Sequence, residues 1–109
     1  MIELIVYNYL KTVLDCAVCV ERLEDIEKYV YIEKTAETEK NKVKTCTIAI
    51  QSYAPSLQQT LELNEEVKKA MEDIISLDEI SSCKKQTDYK FDDLTRKRHR
   101  YQALFNITY

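Results

Sequence analysis

No glycine occurs anywhere in the 109 residues of this chain, and that absence excludes more than any single residue present. Glycine-rich phosphate loops, dinucleotide-binding fingerprints and nucleophile elbows all need glycine where the backbone turns sharply or approaches a ligand, so most nucleotide-binding and hydrolase readings fall away. Any position that requires a positive φ must instead go to Asn or Asp, the next most tolerant residues. Tryptophan is also missing, there is one proline (Pro55), and His99 is the only histidine, so a His–His metal pair cannot form. No apolar run approaches the roughly 20 residues of a membrane span. The start Met1-Ile2-Glu3-Leu4 carries no basic segment ahead of an apolar one, so no secretory signal is expected.

What remains is an ordinary globular composition, 45% apolar and 32% charged with a net charge of −3, and a length suited to a single core. The net charge argues against bulk nucleic-acid binding. Eight tyrosines suggest amphipathic contact surfaces as well as sheet positions.

The most informative stretch runs from Val43 to Leu77. Cys46, Ile48 and Ile50 alternate with Thr45, Thr47, Ala49 and Gln51, the period of a strand covered on one side. Pro55 ends that strand and suits the first turn of a helix. From Ser56 the period changes, and Leu57, Leu61, Val67, Met71, Ile74 and Ile75 draw one stripe along a helix of about six turns.

Upstream, Ile2 to Leu14 reads as an amphipathic helix with Ile2, Ile5, Val6, Tyr9, Leu10 and Val13 on one face. Cys16 to Val20 is a short β-like run, Glu21 to Glu27 an acidic connector, and Tyr29 to Glu33 a strand. The segment 35–42 holds only polar or small residues and reads as a solvated loop. Downstream, Ile80 to Phe91 alternates with Cys83, Thr87, Tyr89 and Phe91 in one register, Asp92-Asp93 marks a turn, and Arg96 to Thr108 is the last strand. The order α-β-β-β-α-β-β predicts one α+β domain over 1–109: a mostly antiparallel sheet of about five strands with two helices on one face.

Four cysteines, Cys16, Cys19, Cys46 and Cys83, match the number a structural zinc needs. Strand geometry points the i and i+3 residues of Cys16-x-x-Cys19 to opposite faces, however, and Cys46 and Cys83 sit in apolar registers. Reduced core thiols are therefore expected rather than a metal or a disulfide, and no cofactor is implied. The carboxylate pairs lie on helix surfaces and connectors, without the apolar flanks that prepare an acid–base pair.

The sharpest charge feature is Arg96-Lys97-Arg98-His99-Arg100. It reads either as a charged, protected strand end or as a stripe facing an anion or a partner. Glu62, Glu65, Glu66, Glu72, Asp73, Asp78 and Glu79 make the long helix and its exit acidic. A subunit basic at one end and acidic elsewhere can associate head-to-tail with copies of itself, and contact with DNA phosphates is the competing explanation.

Several short strings, in the same order along the chain, resemble a family of small proteins from tailed phages and prophages of Gram-positive bacteria. They are Tyr31-Ile32-Glu33-Lys34-Thr35, Thr47-Ile48-Ala49-Ile50-Gln51-Ser52-Tyr53-Ala54 with Ser56-Leu57, Leu63-Asn64, Asp88-Tyr89 with Phe91, and Thr95, Lys97, Arg100-Tyr101-Gln102-Ala103 and Phe105. The family is similar to the tail terminator and tail-to-head joining (tail completion) proteins of long, non-contractile-tailed phages. The resemblance implies a non-enzymatic α+β subunit of the virion, built in the host bacterial cytoplasm, that forms a ring, typically hexameric, on the head-proximal end of the tail. Its implied partners are copies of itself, the tail tube protein and the head connector protein, with DNA passing through and no membrane involved. On this reading Arg96, Lys97, Arg98 and Arg100 face a neighbouring subunit or the lumen. Glu37, Thr38, Glu39, Lys40 and Asn41 form a partner-facing loop that orders on docking. The chain departs from the family in its four cysteines and in having no glycine in the 35–42 segment.

Two other classes stay open on sequence alone. One is a nucleic-acid-binding module that uses the basic run with Tyr89 and Tyr101 as stacking platforms. The other is a small metal-dependent enzyme built on the cysteines or carboxylates.

Overall fold

The computed structural model describes residues 2–21 and 25–109. Helix α1 (Ile2–Val13) is followed by a three-residue strand, β1 (Ala17–Cys19), then by the long strands β2 (Tyr29–Lys40) and β3 (Val43–Ala54). Helix α2 (Leu57–Glu72) and a 3₁₀ turn (Ile74–Ser76) lead to β4 (Ser82–Lys90) and β5 (His99–Thr108). The chain is an α+β protein with one five-stranded sheet in the order β1-β2-β3-β5-β4. All pairings are antiparallel except the short β1–β2 contact, which is parallel.

Alternation of apolar residues decides which side of the sheet the helices cover. Val30 and Ile32 of β2, Cys46, Ile48 and Ile50 of β3, and Ala103, Phe105 and Ile107 of β5 form one buried layer. Ile2, Val6 and Leu10 of α1 and Leu63, Val67 and Met71 of α2 pack onto it. Each Val, Leu, Ile, Phe or Met side chain among these stabilises the fold by about 1.5–3 kcal/mol on burial. Val13, expected on the inner face of α1, is exposed, as are Leu57, Leu61 and Ile75 of the stripe expected on α2. The inner face of α2 is instead Thr60, Leu63, Asn64, Val67 and Met71. Helix α2 begins at an N-cap, with Ser56 Oγ accepting the Gln59 N–H at 3.2 Å. It stops at Glu72 rather than Leu77, where the Asp73 N–H turns back to Ala70 O and the chain tightens into the 3₁₀ turn.

Three other segments differ from the sequence reading. The polar stretch 35–42 is not a loop. Strand β2 continues through it to Lys40, paired with β3, and only Asn41 and Lys42 turn, with φ of 54° and 66°. Both turn residues are left-handed, the geometry a two-residue hairpin needs to match strand twist. Strand β5 begins at His99, because Arg96 and Lys97 lie in a turn that precedes it. In β4 the pairing register shifts between Lys85 and Thr87, leaving Gln86 as an extra residue. That bulge puts Cys83 on the helix side of the sheet while Thr87 and Tyr89 face the other way, so the single register expected for them does not hold. The acidic connector at 21–27 lies partly outside the described residues.

Candidate interface at the basic end of the sheet

The sheet face without helices is not uniformly wet. At its Tyr29 end the paired residues Tyr29, Tyr53 and Arg100 lie side by side, next to the row Tyr31, Gln51, Gln102 and Tyr89. Tyr29 and Tyr53 stack with ring centroids 4.5 Å apart and planes 5° from parallel. Gln51 Nε2 donates to Gln102 Oε1 at 2.7 Å, and Gln102 Nε2 donates to Tyr89 Oη at 2.6 Å. Tyr29, Tyr53, Arg100, Gln51 and Gln102 are buried without a helix above them because a loop folds over that end of the sheet, while Tyr89 at the margin is exposed.

The loop is closed by reciprocal backbone hydrogen bonds between Asp93 and Arg98, at 2.9 and 3.0 Å. Lys97 completes the reversal with a φ of 54°. The Asp93 carboxylate, 5% exposed, accepts the Arg96 N–H at 3.2 Å and Arg96 Nη1 at 3.3 Å. It also faces the Tyr53 hydroxyl at 3.3 Å and Arg100 Nη1 at 3.8 Å. Burial alone would raise its pKa, but these donors and the Arg100 charge outweigh it and hold the carboxyl below its ordinary range.

The basic run is therefore divided by its surroundings. Arg100 is 7% exposed; its Nε donates to Phe91 O, its Nη1 to Tyr53 Oη at 3.1 Å, and the guanidinium lies 4.2 Å from the Phe91 ring centre. Arg98 lies over both stacked tyrosines, 5.3 and 5.2 Å from their centres, and one terminal nitrogen donates to Glu27 O. Its Nη1 is covered without a hydrogen-bond partner among the described residues. Arg96 is held by Asp93. Lys97 and His99 are the exposed members, on the rim of a groove of about 350 Å³ that also takes in Ile26 and Pro55. The run thus contributes two exposed side chains, Lys97 and His99, and three arginines engaged within the fold, not a continuous stripe.

Tyr89 and Tyr101 do not form a joint platform. Tyr89 pairs with Gln102 and Tyr101 with Lys90, so the two rings lie on opposite faces of the sheet.

The segment Glu37, Thr38, Glu39, Lys40 and Asn41 forms the outer arm of the β2–β3 hairpin and its tip, exposed throughout. Lys34 and Glu37 pair across a bulge in β2, a contact that raises the lysine pKa and lowers that of the glutamate. A matching pair crosses the β4 bulge, with Lys85 Nζ 3.0 Å from Asp88. Asp88 also accepts from Asn64 Nδ2 at 3.0 Å and Lys68 Nζ at 2.9 Å, which ties β4 to α2. Burial pushes its pKa up, and the three donors more than reverse that shift. The i, i+4 pair Asn64 and Lys68 on α2 was the available sequence signal for this hub.

The four cysteines carry free thiols. Cys46 is in the core and Cys16 and Cys83 pack against it, while Cys19 Sγ contacts Val30 O at 3.5 Å. Burial raises all four thiol pKa values, to about 11 for Cys46 and for Cys83. Among the described residues no three His, Cys, Asp or Glu side chains come together as a metal site. Nor is any described helix long and apolar enough to cross a membrane. Comparison with protein-family models finds none that matches the chain, and comparison with curated proteins finds no match.

Proposed function

We propose that the chain is a structural subunit of a tailed phage or prophage, a tail terminator or tail completion protein that caps the tail tube and meets the head connector. What supports this reading is where the family-like strings fall. Apart from Phe91, Thr95 and Lys97 in the connection between β4 and β5, they occupy β2, β3, the start and middle of α2, β4 and β5, elements that build the sheet and its main helix. A cap needs a rigid subunit with surfaces for neighbours, and a five-stranded sheet backed by two helices supplies rigidity. Lys97 and His99 at the rim are the basic groups available to face a neighbour or passing DNA. The nucleic-acid-binding alternative is less well supported. It needs a basic stripe with aromatic platforms, whereas Arg98 and Arg100 are committed to tyrosine and carboxylate contacts and Tyr89 and Tyr101 lie on opposite faces.

The test is solution mass by light scattering over a concentration series, with negative-stain images of the largest species. Closed rings, of about six chains for a cyclic assembly of this type, are the expected result. A chain that stays monomeric and binds duplex DNA with a steep salt dependence would replace this reading by the nucleic-acid one.

A further inference from the structure

We infer that copies of this chain join edge to edge, the outer edge of β2 in one copy pairing antiparallel with the outer edge of β4 in the next. The inference rests on the tube-capping reading only in taking the occupant of each edge to be a second copy.

Both edges are open. Strand β1 pairs only with Tyr29–Tyr31, so residues 32–40 of β2 have no outer strand neighbour among the described residues. Strand β4 is the other end of the sheet. Strand directions then fix how two copies meet. Strands β2 and β5 run the same way, since each is antiparallel to β3, and β4 runs against β5. If a neighbour keeps its strand direction, its β2 meets β4 antiparallel, in the more stable type of ladder.

The two edges also match in detail. Each carries one bulge, Thr35 in β2 and Gln86 in β4. Each bulge is spanned by a lysine and a carboxylate three residues apart on the helix side, Lys34–Glu37 and Lys85–Asp88. In an antiparallel register with Lys34 opposite Asp88, Glu37 falls opposite Lys85. Two residues then separate the pairs on both strands, so the bulges face one another and inward–outward alternation is kept on either side. The four charges alternate in sign around a square. Further along, Glu39 comes opposite Cys83, beside a groove of about 410 Å³ between α2 and β4 whose lining carries Lys68, Lys69 and Lys85 together with Glu65 and Glu72.

Self-pairing of either edge would also oppose lysine to carboxylate at the bulge, but the surrounding charge disfavours it. Strand β4 has three lysines against one aspartate, and residues 32–40 of β2 have three glutamates against two lysines. Pairing β4 with β4 sets one lysine excess against another, whereas β2 against β4 brings opposite excesses together. Lysines and bulges on an edge also protect it from indiscriminate pairing. That role accounts for each edge alone and not for the reciprocal spacing of the two.

The experiment compares wild type, Glu37→Lys, Lys85→Glu and the double variant by light scattering and negative stain, with circular dichroism to verify the fold. Both changed side chains are exposed. Each single reversal is expected to raise the dissociation constant at least about tenfold, and the double variant to return it close to wild type. Rings that ignore all three variants would overturn the edge assignment and leave the ring reading standing. Open filaments broken by the single changes and restored by the double would uphold the edge pairing and end the ring reading. Discrete dimers, or a wild type monomeric at every concentration, would overturn the pairing.

Discussion

Asp93→Asn removes one charge from a buried cluster while keeping its shape. In the native chain the Asp93 carboxylate lies 3.8 Å from Arg100 Nη1, and the two residues are 5% and 7% exposed. At that separation the attraction is about 4 kcal/mol for an effective dielectric near 20, before desolvation is subtracted. Removing one partner of a buried pair typically costs about 3–5 kcal/mol, because the other charge is left uncompensated. Arg100 keeps acceptors in Phe91 O and Tyr53 Oη and its place over the Phe91 ring, which softens the loss. A destabilisation of about 2–3 kcal/mol is expected at pH 7, a large share of the roughly 5–15 kcal/mol that holds such a domain together. Urea titration measures it, with Arg100→Met and the double variant completing a cycle whose coupling should reach about 1–3 kcal/mol. The pH dependence gives a second reading. A carboxyl held below its unfolded value near 4 binds fewer protons in the native state. Its contribution is therefore complete above about pH 4 and is lost as pH falls through the folded pKa. Wild type and variant should converge in stability on the acid side of that window. A loss under about 0.5 kcal/mol at pH 7, or a cycle with no coupling, would refute the account of this cluster.

Three smaller changes probe other parts of the fold. Ser56→Ala removes the acceptor for the Gln59 N–H and should cost about 1 kcal/mol in thermal or urea unfolding. Lys42→Gly relieves a side chain held at a φ of 66° and should stabilise the hairpin by about 0.5–1 kcal/mol despite the added freedom of the unfolded chain, read as a higher urea midpoint. Cys46 is buried with its pKa near 11, so at pH 8 an aromatic disulfide reagent should modify it at a rate limited by opening of the fold. Mass mapping would show it lagging behind Cys19 in native protein and equalised in urea.

The parts of the fold that were legible in the sequence are those where burial writes a period. The alternation Cys46, Ile48, Ile50 and the Val30, Ile32 pair gave the covered side of the sheet correctly, because these inward positions are apolar while the outward Thr45, Thr47 and Gln51 of β3 are polar. Between Thr35 and Lys42 only Ala36 is apolar, so the strand there left no periodic trace. Its pairing comes from β3, and its turn uses Asn41 and Lys42 where a glycine would have signalled a hairpin. The basic run misled for a different reason. Consecutive charges suggest a solvated strand, but the acceptors that take them, Asp93 and the rings of Tyr29, Tyr53 and Phe91, come from other places in the chain. Gln51 and Gln102 likewise look like outward positions; the loop over that end of the sheet buries them, and their bond to each other satisfies the buried amides. A bulge has no compositional mark either, and the one at Gln86 reversed the side to which Cys83 points relative to Tyr89.

The place of β5 has a bearing on how the chain comes off the ribosome. It is last in sequence yet second from the end of the sheet, inserted between β3 and β4 and bonded to both. Until residues 99–108 emerge, the β3 edge that β5 will cover is unpaired and β4 has no strand to join. The β2–β3 hairpin and α2 can form as they are made, but the sheet cannot be completed by gradual addition at its margin. It closes in one late event, and β4, one of the two free edges, exists as an edge only after that event. Of the two edges proposed to meet in a pair of copies, the β2 edge can form early with its hairpin, whereas the β4 edge appears only on a chain whose sheet has closed.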